Sequence, residues 1–179
     1  MKRFSHSTTL KIVATLAFSS LCCIEAMPAL AAGSATSDLT LSASVGANCT
    51  ISTAPIAFGA YDPISANASS ALNGTGTVTV ICTSGAGGVI SLGQGSNADS
   101  ASTDSAPVRL LSDGASHGLA YSLFQDSSHA TIWGNTTTTG VSHLGNGTST
   151  DITVYGSVAG GQNMPAGSYS DTVVATVTF

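Results

Sequence analysis

The run Tyr169-Ser170-Asp171-Thr172-Val173-Val174-Ala175-Thr176-Val177-Thr178-Phe179 decides the fold class. Residues of one parity are Tyr169, Asp171, Val173, Ala175, Val177 and Phe179, and Ser or Thr fills most of the positions between them. In a pleated strand successive side chains point to opposite faces, so this pattern builds one apolar face and one polar face. Thr and Val also favour extended backbone. The same alternation recurs upstream, in Leu39, Leu41, Ala43 and Val45, then in Val78, Val80 and Cys82. It returns in Leu119, Tyr121 and Leu123, and again in Ile152, Val154, Gly156 and Val158. Breakers separate these runs. Ser84-Gly85-Ala86-Gly87-Gly88 predicts a hairpin, residues 93–106 a polar loop, and Asn146-Gly147 and Gly160-Gly161 turns. No long stretch after residue 31 carries the helical period. Short alternating strands divided by turn residues predict an all-β fold, a β-sandwich of antiparallel sheets in one domain.

The first residues have a different character. Lys2, Arg3 and Lys11 form a basic start, residues 12–24 are apolar or small, and Ala29-Leu30-Ala31 offers small residues at a cleavage site. That order is the pattern of a secretory signal peptide over residues 1–31. The apolar stretch falls short of the roughly 20 residues that a membrane-spanning helix needs. Cys22 and Cys23 sit inside that stretch, before the small-residue site, which argues against a lipid-anchored cysteine.

Beyond residue 31, Arg109 is the sole basic residue, set against eight aspartates and no glutamate. One arginine cannot neutralise a row of phosphates, so nucleic acid is excluded as a partner, and an anionic membrane surface is disfavoured for the same reason. Arg109, as the lone cation, is expected to pair with an aspartate. Cys49 and Cys82 also lie in this part. In an exported chain they read as a disulfide rather than as free thiols or half of a metal site. A loop of that length contributes about 3–4 kcal/mol in the chain-entropy description.

Catalytic and ligand-binding patterns are weak. His117, His129 and His143 fall in polar loops, and neither a Gly-x-Ser-x-Gly elbow nor a His-Glu-x-x-His stretch occurs. Asp99, Asp104 and Asn97 do not follow calcium-loop spacing. The expectation is a non-enzyme without cofactor or metal. Tyr121 and Trp133 fit either core packing or a sugar-binding face, with the core favoured.

Both ends of the sequence are unusual. The last run carries core parity to Phe179, where a frayed terminus is the norm. Residues 37–45 form a strand-like run ahead of the first sandwich cysteine, separated from it by Gly46-Ala47-Asn48. Two readings fit this run: a first strand of its own sandwich, or a strand offered to the sheet edge of another molecule.

Pro165-Ala166-Gly167-Ser168 together with the run that follows resembles the C-terminal signature of the spore coat protein U family, which includes subunits of archaic chaperone–usher pili. Asn48-Cys49-Thr50 is similar to its first-cysteine motif, and Ala57-Phe58-Gly59-Ala60-Tyr61 to its Phe-Gly-x-Tyr. Val78-Thr79-Val80-Ile81-Cys82 resembles its second-cysteine strand, and Arg109-Leu110, Leu119-Ala120-Tyr121-Ser122-Leu123, Asp126 and Trp133-Gly134 follow in order. The resemblance implies an immunoglobulin-like sandwich that lacks one strand and is completed by donor-strand exchange. Residues 32–46 would be the donor segment, with Leu39, Leu41, Ala43 and Val45 as its inserted side chains. Residues 47–179 would be the sandwich, with an acceptor groove and chaperone-binding strand at Tyr169, Val173, Ala175, Val177 and Phe179, and with Cys49 and Cys82 pinning the first two strands. The implied partners are neighbouring subunits, a periplasmic chaperone and an outer-membrane usher. The implied task is a surface fibre supporting adhesion or biofilm formation, reached through the periplasm. A single-domain adhesin using Trp133, and a self-complemented coat protein, are the alternatives.

Overall fold

A computed structural model of the chain describes residues 32–179. The expected leader, residues 1–31, lies outside the described residues. Eight strands follow in order: β1 (Cys49–Ala54), β2 (Leu72–Cys82), β3 (Gly87–Leu92), β4 (Arg109–Ser112), β5 (Gly118–Phe124), β6 (Val141–Leu144), β7 (Thr150–Val158) and β8 (Ala175–Thr178). They form two antiparallel sheets, a five-stranded one in the order β1-β2-β7-β5-β4 and a three-stranded one in the order β6-β3-β8. The fold is therefore all-β, with no helix among the described residues.

Alternation explains the core. Pairing of Leu72 with Val158 and of Val78 with Ile152 fixes which faces of β2 and β7 point inward. Val78, Val80 and Cys82 of β2 are then buried with Val154 and Val158 of β7, Leu119, Tyr121 and Leu123 of β5, and Ile90 and Leu92 of β3. Each fully buried Val, Leu or Ile stabilises the fold by about 1.5–3 kcal/mol. Trp133 seals the space between the sheets at 0% exposure. Its indole Nε1–H donates to the Ile90 carbonyl at 2.8 Å, which satisfies the one polar group of a ring placed in the core. A buried Trp133 cannot form a sugar-binding surface, so the adhesin reading loses its proposed aromatic platform. The Cys49–Cys82 disulfide joins two residues that are register partners at one end of the β1–β2 pair.

Arg109 departs from its expectation. It is 0% exposed and has no carboxylate within ion-pair distance; the ion pair among the described residues is His117–Asp113. Instead its Nε donates to the Gly93 carbonyl and its Nη2 to the Leu92 and Trp133 carbonyls, all at 2.9 Å. Burial pulls its pKa below the usual range. The guanidinium ties β4 to the end of β3 and to the Trp133 backbone, so a fork of donors serves carbonyls that strand geometry leaves unpaired.

Two further expectations, the hairpin and the C-terminal strand, are corrected, and the N-terminal run enters neither sheet. Ser84-Gly85-Ala86 is no hairpin turn, because β2 and β3 belong to different sheets and the segment passes between them. The C-terminal strand is Ala175–Thr178 rather than residues 169–179, and Phe179 is 53% exposed despite its parity. The N-terminal run forms no strand: residues 32–48 carry no regular structure, and Leu39, Leu41 and Val45 are 83%, 82% and 87% exposed. The contact pattern divides the chain after Ser42, and residues 43–179 hold all eight strands.

Candidate functional site

β1 and β8 are terminal strands of their sheets, one of the five-stranded sheet and one of the three-stranded sheet. Each has one ladder partner, β2 and β3 respectively, and the opposite edge carries no strand among the described residues. The two edges approach each other on the same side of the sandwich. Unpaired edges of this kind present free N–H and C=O groups.

An apolar groove opens at this place, in two compartments. One, of about 210 Å³, lies over Val78, Leu92, Tyr121, Leu123 and Val154. The other, of about 720 Å³, lies over Leu72, Leu119 and Val158. Ile56, Phe58, Leu111 and Asp171 line both, which makes them one continuous feature. The chain after β1 forms one wall and the C-terminal segment the other.

Each wall has a local cause. Pro55 lacks an N–H and ends the β1 ladder. Ile56 and Phe58 then turn inward while Pro55 and Ala57 stay exposed. They settle over Gly74, Gly76 and Gly156, core-facing positions where the missing Cβ leaves room. The Phe58 ring meets Tyr121 edge-on at 6.1 Å between centroids. On the opposite wall the C-terminal segment changes sheets. Ser170 exchanges both backbone hydrogen bonds with Ser112 of β4 at 2.9 Å, whereas Ala175 to Thr178 pair with β3. Asp171 anchors the crossing. Its Oδ1 accepts from the backbone N–H groups of Ser96 (2.9 Å), Asn97 (3.1 Å) and Thr172 (2.8 Å), and from Asn97 Nδ2 (3.1 Å). Its Oδ2 accepts from the Tyr121 hydroxyl at 2.7 Å. Burial, reinforced by this carboxylate, pushes the Tyr121 hydroxyl well above the usual phenol range.

The expected acceptor residues divide along this segment. Tyr169 lines the larger compartment, and Val173 and Ala175 line the smaller one. Val177 packs against the core, and Phe179 lines neither compartment. Leu39, Leu41, Ala43 and Val45 are all exposed and lie outside both linings. Cys49 and Cys82 are bonded to one another. Reading the sequence for apolar alternation missed Ile56, Phe58, Gly74 and Gly76, and took Gly156 for a core position without seeing the space it leaves, because a hole in a sheet face carries no hydrophobic signal. The usable sign was Leu72-x-Gly74-x-Gly76-x-Val78, a core face with its middle left empty.

Several aspartates away from the groove hold turns and loops in place. Asp113 accepts from His117 Nδ1 at 2.6 Å, and that hydrogen bond holds its carboxyl below the usual range. Asp126, depressed by its hydrogen bonds, caps the loop after β5 by accepting from Ser128, Ala130 and Thr131. Asp104 accepts from Asn135 and Gln94, and its pKa is lowered by both. Among the described residues no three His, Cys, Asp or Glu side chains cluster as metal ligands do.

Comparison with known proteins shows the family and a likeness of fold. The family model described as Spore Coat Protein U domain matches residues 35–176. Protein U of Myxococcus xanthus is 41% identical over 155 residues, covering 83% of this chain and 87% of that protein. Among solved structures, a chain is similar from the CsuC–CsuE chaperone–tip adhesion subunit pre-assembly complex of the archaic chaperone-usher Csu pili of Acinetobacter baumannii. The TM-score is 0.52 at 22% identity, over 75% of this chain and 40% of that one, a likeness of fold.

Proposed function

Because the chain belongs to the spore coat protein U domain family, we propose that it is a structural subunit of an archaic chaperone–usher surface fibre, polymerised by strand donation between copies. The sandwich, residues 47–179, acts as acceptor, and residues 32–46 act as donor for the next copy. The observation that carries this reading is the groove whose smaller compartment is flanked by the unpaired edges of β1 and β8 and whose larger one runs on between residues 56–61 and 164–171. The exposed alternating side chains of residues 39–45 support it further.

The energetics favour filling the groove with a strand. A strand laid in the groove gains main-chain hydrogen bonds on its edges and buries Leu39, Leu41 and Val45. Each such burial stabilises by about 1.5–3 kcal/mol, before the cost of ordering the segment. Until a partner arrives, the open groove and its edges favour uncontrolled aggregation. That hazard explains the need for a periplasmic chaperone to occupy the groove and for an outer-membrane usher to hand it to the next subunit. Donation from the front of one copy into the groove of another is a heterologous contact that does not close, so it extends into an open fibre. A leader over residues 1–31 delivers the chain to the periplasm, and the fibre at the cell surface supports adhesion or biofilm formation.

Deletion of residues 33–45 tests the reading. Produced with its chaperone, the truncated chain is expected to keep its disulfide and β-rich circular dichroism yet yield no species larger than a one-to-one chaperone complex by size-exclusion chromatography. Polymers of normal length from the deletion variant would refute the reading. A full-length chain that stays a stable monomer without any chaperone would favour the self-complemented coat protein.

A further inference from the structure

Residues 55–60 form the less ordinary wall of the groove. Their backbone makes no hydrogen bond among the described residues, yet Ile56 and Phe58 point inward in strand fashion. A stretch with an unpaired backbone keeps one position only if its side chains are wedged. The wedge is a slot in the five-stranded sheet. Gly74 and Gly156 are register partners on β2 and β7, and Gly76 faces the same way beside Val154. A Cβ at Gly76 would stand 2.6 Å from Ile56 Cγ1, and one at Gly156 would stand 2.7 Å from the tip of the Phe58 ring. At Gly74 it would meet Ile56 Cγ2 at 3.0 Å and the Phe58 ring at 3.3 Å. Gly59, at φ +82°, then lets the chain turn away after Phe58.

We propose that the Gly74–Gly76–Gly156 slot, through Ile56 and Phe58 as positioning residues, sets the groove wall along residues 55–60 for a strand from a second copy of this chain. The inference rests on the strand-donation reading. The slot fixes how far the wall stands from the C-terminal segment, and the wall offers its free N–H and C=O groups to the incoming strand. Filling the slot pushes the wall outward and misaligns those groups, while the sheets beneath keep their ladders.

A size swap tests this. The full chain carrying Leu39→Asp and Leu41→Asp, which disarms its own donor, is titrated with a fluorescent peptide of residues 34–46 at a temperature where every variant is folded. Gly156→Ala is expected to weaken peptide binding by at least about tenfold, the cost of overpacking one methyl. Gly156→Ala with Phe58→Leu removes the distal ring atoms that clash and regains most of the affinity. A general loss of stability would not be repaired at the peptide site alone, so thermal midpoints without peptide are compared alongside. If Gly156→Ala does not fold, Gly74→Ala, with its milder contacts, is used with Ile56→Leu, which removes the Cγ2 methyl that stands nearest. Native affinity in the glycine variant, or a double variant no better than the single one, overturns the slot while leaving strand donation standing. A starting chain that binds no peptide overturns both.

Discussion

β2 with β7, and the C-terminal segment, carry the same alternating pattern but meet different fates. In the first, Val78, Val80, Val154 and Val158 are sealed, and each strand has neighbours on both sides. In the second, Val173, Ala175 and Val177 have the same parity but stay half-buried, Val173 just ahead of β8 and the other two on that strand, which has one neighbour. The alternation is local, whereas sealing depends on what lies across the sheet and along the edge. Apolar positions that a fold leaves half-covered beside a free edge mark where another strand fits.

Trp133→Ala should separate the two regions most strongly. It empties the sealed side, at a cost of about 3–5 kcal/mol in chemical denaturation. Peptide uptake by the remaining folded fraction should be unchanged, because Trp133 lines neither compartment. Loss of uptake in a fully folded Trp133→Ala chain would mean that the two sides are not independent. Asp171→Asn should act in the opposite sense. Its stability cost is smaller, about 1–3 kcal/mol for weakened charge-assisted hydrogen bonds. It frees the crossing of the C-terminal wall, so peptide affinity should fall more than stability does.

The smallest effect concerns pH. The folded chain holds the Tyr121 proton more tightly than the unfolded chain, because of burial and the Asp171 carboxylate. Below about pH 10 both forms keep that proton and stability is undiminished. Above it the unfolded chain ionises first, so stability falls as pH rises. Tyr121→Phe should flatten that alkaline decline in urea midpoints measured across the range. An equally steep decline in the variant would assign it to another group.

The strands of the sealed region were legible because their side chains repeat every second residue and are all apolar. The fate of the outer runs was not. Residues 169–179 read as one strand, but the segment leaves β4 for β3 partway, and Asp171, a polar residue at core parity, marks the crossing. Arg109 read as half of an ion pair, but three carbonyls at the sheet junction take its Nε and Nη2 donors while Nη1 has no partner among the described residues, and acceptors of that kind exist only once the sheets are assembled. The first groove wall was illegible for a related reason. Ile56 and Phe58 are placed by glycines distant in sequence, through space that those residues do not fill.

The central claim is that one copy donates residues 32–46 and another accepts them. Two disabled chains test it: an acceptor lacking residues 33–45, and a donor whose groove is blocked by Val173→Asp and Ala175→Asp. With the acceptor kept in complex with its chaperone until mixing, light scattering after chromatography should find neither chain self-associated and their mixture as a one-to-one donor–acceptor pair that grows no further. A mixture that remains monomeric, or a blocked donor that polymerises by itself, would contradict the account.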